Sequence, residues 1–456
     1  MISAKLFSRT HQTKLRSIKS NLKRAKKRLF SNKFLQIVGL IGVIAYLCYY
    51  YRQGGIKDQG LENPGVRDVG VYIEAGRAVL QGVNPYRILD IRFGTFGPVP
   101  FGIVSYIIPG SFQTIFFQLI NLGGIYLFLF IFARRFPNCN ISLVFFTVIL
   151  TSATRELLVT NQITGILMGL IATGYHFVDS ASYTSSRFKL ALASFCFAIA
   201  IDLKPHLIFI FVLMLAISKR KHLLLITTGT VWVAAHLIID VSQKTILEFD
   251  WLNTLMRLSH AAESGKLGDS VTFWPMVTQA FPGLNIPTFV MSIPFLLGVL
   301  ALIQYAKKKD FEDLMGWILI LPSVSIYFHF YDLIPAMALA LLRHSAIPSA
   351  LVLTPIAFFL ISIEWNELRN QIMIISVLLI WKIKSDGQIK FLQLLKSVVV
   401  LVILYLLNSE LATSPQMKQT LAVSECTIMV GLLLLRDKYT AQRIRAQYLN
   451  KSFKSC

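Results

Sequence analysis

Residues 112–135 read FQTIFFQLINLGGIYLFLFIFARR, twenty-two residues without a formal charge followed by two arginines. The hydrocarbon core of a bilayer is about 30 Å thick, and about 20 apolar residues of helix cross it. Arg134 and Arg135 then mark the cytoplasmic end of that span, because basic residues are retained on the inner side. Comparable apolar runs recur along almost the whole 456-residue chain. The chain is 55% hydrophobic and only 15% charged, against roughly 25% charged in ordinary globular proteins. Mean hydropathy is +0.61. Soluble multidomain enzymes, collagen-like chains and disordered chains are excluded. The sequence predicts an all-α polytopic membrane protein.

Working outward from 112–133, the expected spans are 34–51, 141–154, 160–178, 188–201, 204–218, 222–239, 286–305, 314–331, 333–343, 346–362, 368–382, 390–408 and 419–435. Counted alternately from an inner N-terminus, they place the basic clusters at 134–135, 219–221, 307–309, 343 and 382–390 inside. One wrong crossing would put the later clusters outside, so their agreement tests the count. Several runs are short, and the expected number is twelve to fourteen transmembrane helices. Segment 99–109, short and bounded by prolines, reads as interfacial or re-entrant.

Net charge is +22, concentrated at the two ends. Residues 1–33 carry eleven Lys or Arg and no acid, and 436–456 carry six bases and one acid. Both read as cytoplasmic segments held near anionic lipid, flanking a transmembrane domain over 34–435. Membrane lipids, rather than nucleic acid, are the expected partners of these charges. The 34–51 run ends in Tyr49-Tyr50-Tyr51-Arg52 without a small-residue cleavage pattern, unlike a signal peptide. The cysteines at 48, 139, 196, 426 and 456 have neither metal nor redox spacing.

This topology gathers polar residues on one side. The first external loop, 52–98, a second over 240–285, Asn161-Gln162, Asp202-Leu203-Lys204-Pro205 and His329-Phe330-Tyr331-Asp332 all fall at the outer surface. Ionisable groups beside apolar helices are costly and mark functional cavities. Within the first loop, residues 68–86 read DVGVYIEAGRAVLQGVNPY. Val71, Ala75, Ala78 and Val79 recur at helical spacing and predict a helix lying along the membrane surface. Asp68 opens it, which also suits a plain N-cap. Gly82 to Tyr86 reads as the turn that ends it. A further helix is expected near Glu248–Ala262, able to fold over the site as a lid.

The segment resembles the first external loop of glycosyltransferase family 87, membrane enzymes that use polyprenyl-phosphate sugars. That family's pattern is an Asp, a Tyr four on, an Ala three further, then Leu-x-Gly-x-x-Pro-Tyr. Here Asp68, Tyr72, Ala75, Leu80, Gly82, Pro85 and Tyr86 supply it. Phe96-Gly97-Pro98 stands where the family has an aromatic and two prolines. Asn161-Gln162, Lys204-Pro205 and the stretch from His329 to Pro335 resemble later family elements in the same order. The resemblance spans roughly residues 60–340.

It implies a GT-C-type glycosyltransferase architecture with an external active site. It also implies transfer of a hexose, mannose being the expected sugar, from a polyprenyl-phosphate sugar donor to a lipid or glycan acceptor outside the cytoplasm. The resemblance assigns catalysis to Asp68, as general base, and to His329. It assigns the donor phosphate to Lys204, with Arg67 or Arg77 behind it. Tyr72, Tyr86, Asn161, Gln162, Tyr331 and Asp332 become substrate-binding. No metal or other cofactor is expected, since Lys and Arg suffice to neutralise one phosphate. Each residue has a blander role open to it: Lys204 as a snorkelling helix end, His329 and Asn161-Gln162 as interhelical hydrogen-bonders, the tyrosines as interfacial anchors. The rival for the whole chain is a secondary transporter or lipid flippase, which would place ionisable groups near the midplane of repeated halves. No repeat is apparent here.

Overall fold

The structure, a computed structural model, describes residues 68–89, 91, 93–134, 141–149, 151–184, 187–218, 220–263 and 329–344, with scattered positions at 41, 44, 290–300 and 318–319. Both basic ends, Arg67, the remainder of the expected spans 34–51, 286–305 and 314–331, and every span beyond His344 lie outside the described residues. The described residues are helices and turns without a strand.

Helix α1 (Asp68–Leu80) forms where the loop reading expected it. It is not a free surface helix, because Val69, Tyr72, Ile73, Ala75, Ala78 and Val79 are all buried. The reason is α3 (Val99–Ile107), the proline-bounded segment, which packs directly against it. The two backbones meet at Gly76 and Gly102, where a Cβ on either would strike the other helix. Gly82 ends α1 at φ +75, a left-handed turn that glycine adopts without a Cβ penalty. Asn84 then caps the short α2 (Pro85–Ile88), accepting the Tyr86 N–H at 3.0 Å.

The main bundle follows. Helix α4 (Gly110–Ala133) packs on α7 (Thr164–Thr184), α7 on α8 (Arg187–Leu203), and α8 on α10 (Lys221–Gln243). Gly124 of α4 and Gly165 of α7 bring those backbones together, the small-residue contact typical of helices without a hydrophobic drive to associate. Asn121 seals it by accepting the Ile166 N–H at 3.1 Å. Further along, the Phe132 and Tyr175 rings stack at 4.9 Å.

The expected span 141–154 is broken into α5 (Ile141–Ile149) and α6 (Ser152–Thr160). Thr151 causes the break by turning its hydroxyl to the Val148 carbonyl, at 2.7 Å, and to the Thr154 amide as an N-cap. Expected span 204–218 likewise begins with a 3-10 turn, Pro205–Leu207, before α9 (Ile208–Ile217). The helix expected in the second loop is α11 (Leu247–Glu263). Helix α12 (Ile334–His344) follows the 3-10 turn Phe330–Leu333, buries Ile334 through Leu342, and packs on α4 and α5.

Two described helices are long and apolar enough to cross a membrane, Phe112–Ala133 and Lys221–Gln243. Only 22% of the apolar window of α10 is buried in the protein. Its outward positions are Leu225, Ile226, Val233, Leu237, Ile238 and Val241, an exposed apolar face among the described residues.

Candidate functional site at the end of helix α8

Helix α8 ends in the sequence Asp202-Leu203-Lys204-Pro205. Pro205 cannot donate a backbone hydrogen bond, so the helix stops there and the 3-10 turn redirects the chain. Two polar clusters meet at this point, one around Lys204 and the other around Asp202.

Lys204 forms an ion pair with Asp332, their side chains 11% and 10% exposed. Asp332 also accepts the Thr164 hydroxyl at 3.2 Å and the His329 backbone N–H at 3.2 Å. The Lys204 ammonium lies 5.3 Å from the centre of the Tyr331 ring, which stacks on His329 at 4.9 Å. A buried ammonium and carboxylate offset each other's desolvation only with additional hydrogen bonds, which Thr164 and the turn provide. Lys204 therefore does not snorkel to open water. Thr164, Lys204, His206 and Asp332 also line a cavity with Leu167, Met168, Ile171 and Ile210. Three segments far apart in sequence supply the polar groups of this cavity.

Asn161 and Gln162, both buried, sit just before Thr164 in the loop that ends α6. Asn161 is left-handed, at φ 53, which explains an Asn there. Its amide is fully buried with neither oxygen nor nitrogen hydrogen-bonded among the described residues. The expected role as interhelical glue is thus not made by this side chain.

The second cluster was not foreseen beyond Asp202 itself. The Asp202 carboxylate accepts from His236 Nε2 at 2.7 Å, Trp232 Nε1 at 3.2 Å and the Gly97 N–H at 2.5 Å. Its backbone oxygen accepts the Gly94 N–H at 2.8 Å. His236 Nδ1 lies 2.7 Å from Glu248 Oε1 and 3.3 Å from Thr95 Oγ1. His236 was detectable in principle, as an ionisable residue within an otherwise apolar span. His206, within the expected span 204–218, carried the same signal, whereas Glu248, Thr164 and Thr95 did not, since nothing local distinguishes them from ordinary helix-end and loop residues, and Trp232 reads as one more apolar residue of its span.

The first loop reaches this cluster through the Gly94 and Gly97 amides, and aromatic packing supports that stretch from behind. Tyr72 stacks on Phe93 at 4.3 Å and tilts against Phe101 at 5.5 Å. Tyr86 donates its hydroxyl to the Phe93 carbonyl at 3.0 Å. Burial, with Asp202 and Glu248 adding negative charge nearby, pushes the Tyr86 phenol above its ordinary range. Both tyrosines thus support the 93–97 segment from within the protein. Arg77 is not brought to Lys204: it lies in the last turn of α1 and donates to the Ser105 hydroxyl at 2.7 Å. Asp68 is the first residue of α1, one helical turn before Tyr72; its side chain, like Arg67, lies outside the described residues.

The second-loop helix α11 packs beside α2, and the end of α10 meets the end of α1. Asn84 donates to Asp250 at 2.5 Å, and Gln243 donates to the Val79 carbonyl at 2.9 Å. Among the described residues no group of three or more His, Cys, Asp or Glu has the geometry to hold a metal ion. No family model matches the chain, and neither curated proteins nor solved structures give a match.

Proposed function

We propose that the chain is an integral membrane hexosyltransferase of GT-C architecture, taking a sugar from a polyprenyl-phosphate donor at the outer face of a cell membrane. The observation that carries the reading is the joint cluster of Lys204, His206, Thr164, His329, Tyr331 and Asp332, drawn from three separate stretches of which the outermost pair, Thr164 and Asp332, are 168 residues apart. The membrane reading is supported by the length of α4 and α10 and by the apolar face of α10 that is exposed among the described residues. The first loop, tied to Asp202 two residues from Lys204, supports a shared site for Asp68 and the cation.

In this reading the Asp68 carboxylate takes the proton of an acceptor hydroxyl. The freed oxygen attacks the anomeric carbon, and the carbon–oxygen bond to phosphate breaks with inversion. The electron pair leaves on polyprenyl phosphate, whose charge Lys204 stabilises as it develops. Asp332, already receiving the Thr164 hydroxyl, has acceptor capacity for sugar hydroxyls. The orphaned Asn161 amide offers a donor and an acceptor close by in sequence to Thr164. Sugar transfer is tested with labelled polyprenyl-phosphate hexoses and purified full chain in native lipid. Transfer by the wild type and its loss in Lys204→Met support the reading. No transfer with any donor overturns it.

A further inference from the structure

The chain Glu248–His236–Asp202, half-buried at Glu248 and buried at the other two, is the ionisable group that sugar transfer, as written above, leaves without a task. Side-chain exposures are 30% for Glu248, 7% for His236 and 1% for Asp202. Each imidazole nitrogen faces a carboxylate oxygen at 2.7 Å. Ionised carboxylates only accept, so both nitrogens must carry hydrogen for both contacts to be favourable. The geometry is that of an imidazolium held between two anions. A structural pair alone needs one carboxylate; here the second belongs to α11 and the first holds the external loop.

Asp202 grips that loop at two places, the Gly94 and Gly97 amides. The glycines are needed there, because a Cβ at Gly94 would land on the Asp202 carboxylate and one at Gly97 on the Leu203 side chain. Phe93, beside Gly94, carries the stacked ring of Tyr72, four residues after Asp68 on α1. A continuous set of contacts thus runs from α1 to the residue two before Lys204.

We propose that His236 is a positioning residue: as an imidazolium it orients Asp202, which holds the first loop and the helix begun by Asp68 in register with Lys204, and through Glu248 it fastens α11 to the same point. The inference rests on the transferase reading for its catalytic consequence, while the joint itself is a property of the fold. In this role His236 acts on the reaction through Asp202 and Glu248. Removing it loosens the register of the base and leaves the Lys204–Asp332–Thr164 pocket unaltered. A misplacement of about 1 Å costs about 10²-fold in rate.

The test compares wild type, His236→Gln and Glu248→Gln, as full chain in lipid nanodiscs, by amide hydrogen exchange and by transfer kinetics. A glutamine has donors at one end only and cannot serve both carboxylates. In His236→Gln, exchange over residues 93–97 is expected to quicken at least about tenfold, equivalent to about 1.4 kcal/mol, with α7 and α8 protection unchanged. Its kcat is expected to fall about 10²-fold, with the donor KM within about twofold of wild type, since Lys204 is untouched. Glu248→Gln, at the more exposed position, is expected to quicken exchange in α11 and serves if His236→Gln does not fold. Unchanged protection at 93–97 and in α11 overturns the joint. Loosened 93–97 with an unchanged kcat, or a donor KM that rises in step with a falling kcat/KM, overturns the positioning role. Wild type that transfers no sugar overturns the transferase reading and with it the catalytic half of the proposal, while the exchange result still decides the joint.

Discussion

The Lys204–Asp332 pair should show strong energetic coupling. Replacing Lys204 by Met leaves the Asp332 carboxylate, 10% exposed, without its cation. Breaking a buried ion pair from one side costs about 3–5 kcal/mol. Asp332 keeps the Thr164 hydroxyl and the His329 amide, which places the expected cost near the low end, about 3 kcal/mol. Asp332→Leu should cost a similar amount by stranding the ammonium. Removing both charges together, in Lys204→Met with Asp332→Leu, eliminates the desolvation of each and should cost far less than the sum. A coupling of about 2–3 kcal/mol is expected, the upper range for contacting residues. Equilibrium unfolding of the four proteins in mixed micelles measures it. Single-variant costs that add within about 0.5 kcal/mol would refute a desolvated pair and return Lys204 to an open helix end.

Further outcomes follow from the packing and the first loop. Gly124→Val drives a side chain into the Gly165 backbone, while Gly123, on the same helix, has open space around it. Gly124→Val should destabilise by about 1–3 kcal/mol and Gly123→Val by under about 0.5 kcal/mol, read from unfolding midpoints. Tyr86→Phe removes the hydroxyl bonded to Phe93 and should cost about 1 kcal/mol. Because its phenol is held above the ordinary range, Tyr86 should stay protonated where free tyrosines titrate, about pH 10. Difference absorbance between wild type and Tyr86→Phe should show no missing tyrosinate up to that pH; a missing one would place Tyr86 in contact with solvent.

The helices were legible because their signal is local. α4 and α10 announce themselves as long apolar runs, and α1 by its spacing and the Gly82 turn. The break at Thr151 was not legible, because it depends on one hydroxyl choosing a backbone partner within an apolar run. Burial of α1 was equally hidden, since Gly76 and Gly102 reveal their contact only when α3 folds back. At the site, topology brought Lys204, His329, Tyr331 and Asp332 to one side, and the fold brings them into contact. Arg77 was selected by charge and nearness to Asp68 in sequence, but nine residues of helix carry it to the far end of α1 and to Ser105. His236 stands out as an ionisable residue in an apolar span, but its partners Asp202 and Glu248 are set by pairing across segments, which spacing along one chain does not encode.

The most direct measurement is transfer of labelled hexose from a polyprenyl-phosphate donor by purified full chain, wild type against Asp68→Asn. That exchange keeps size and hydrogen-bonding capacity while removing the base. Transfer by the wild type and a loss of about 10²-fold or more in the variant is the predicted result. Transfer that survives the exchange would contradict Asp68 as the base and leave it only the residue that opens α1.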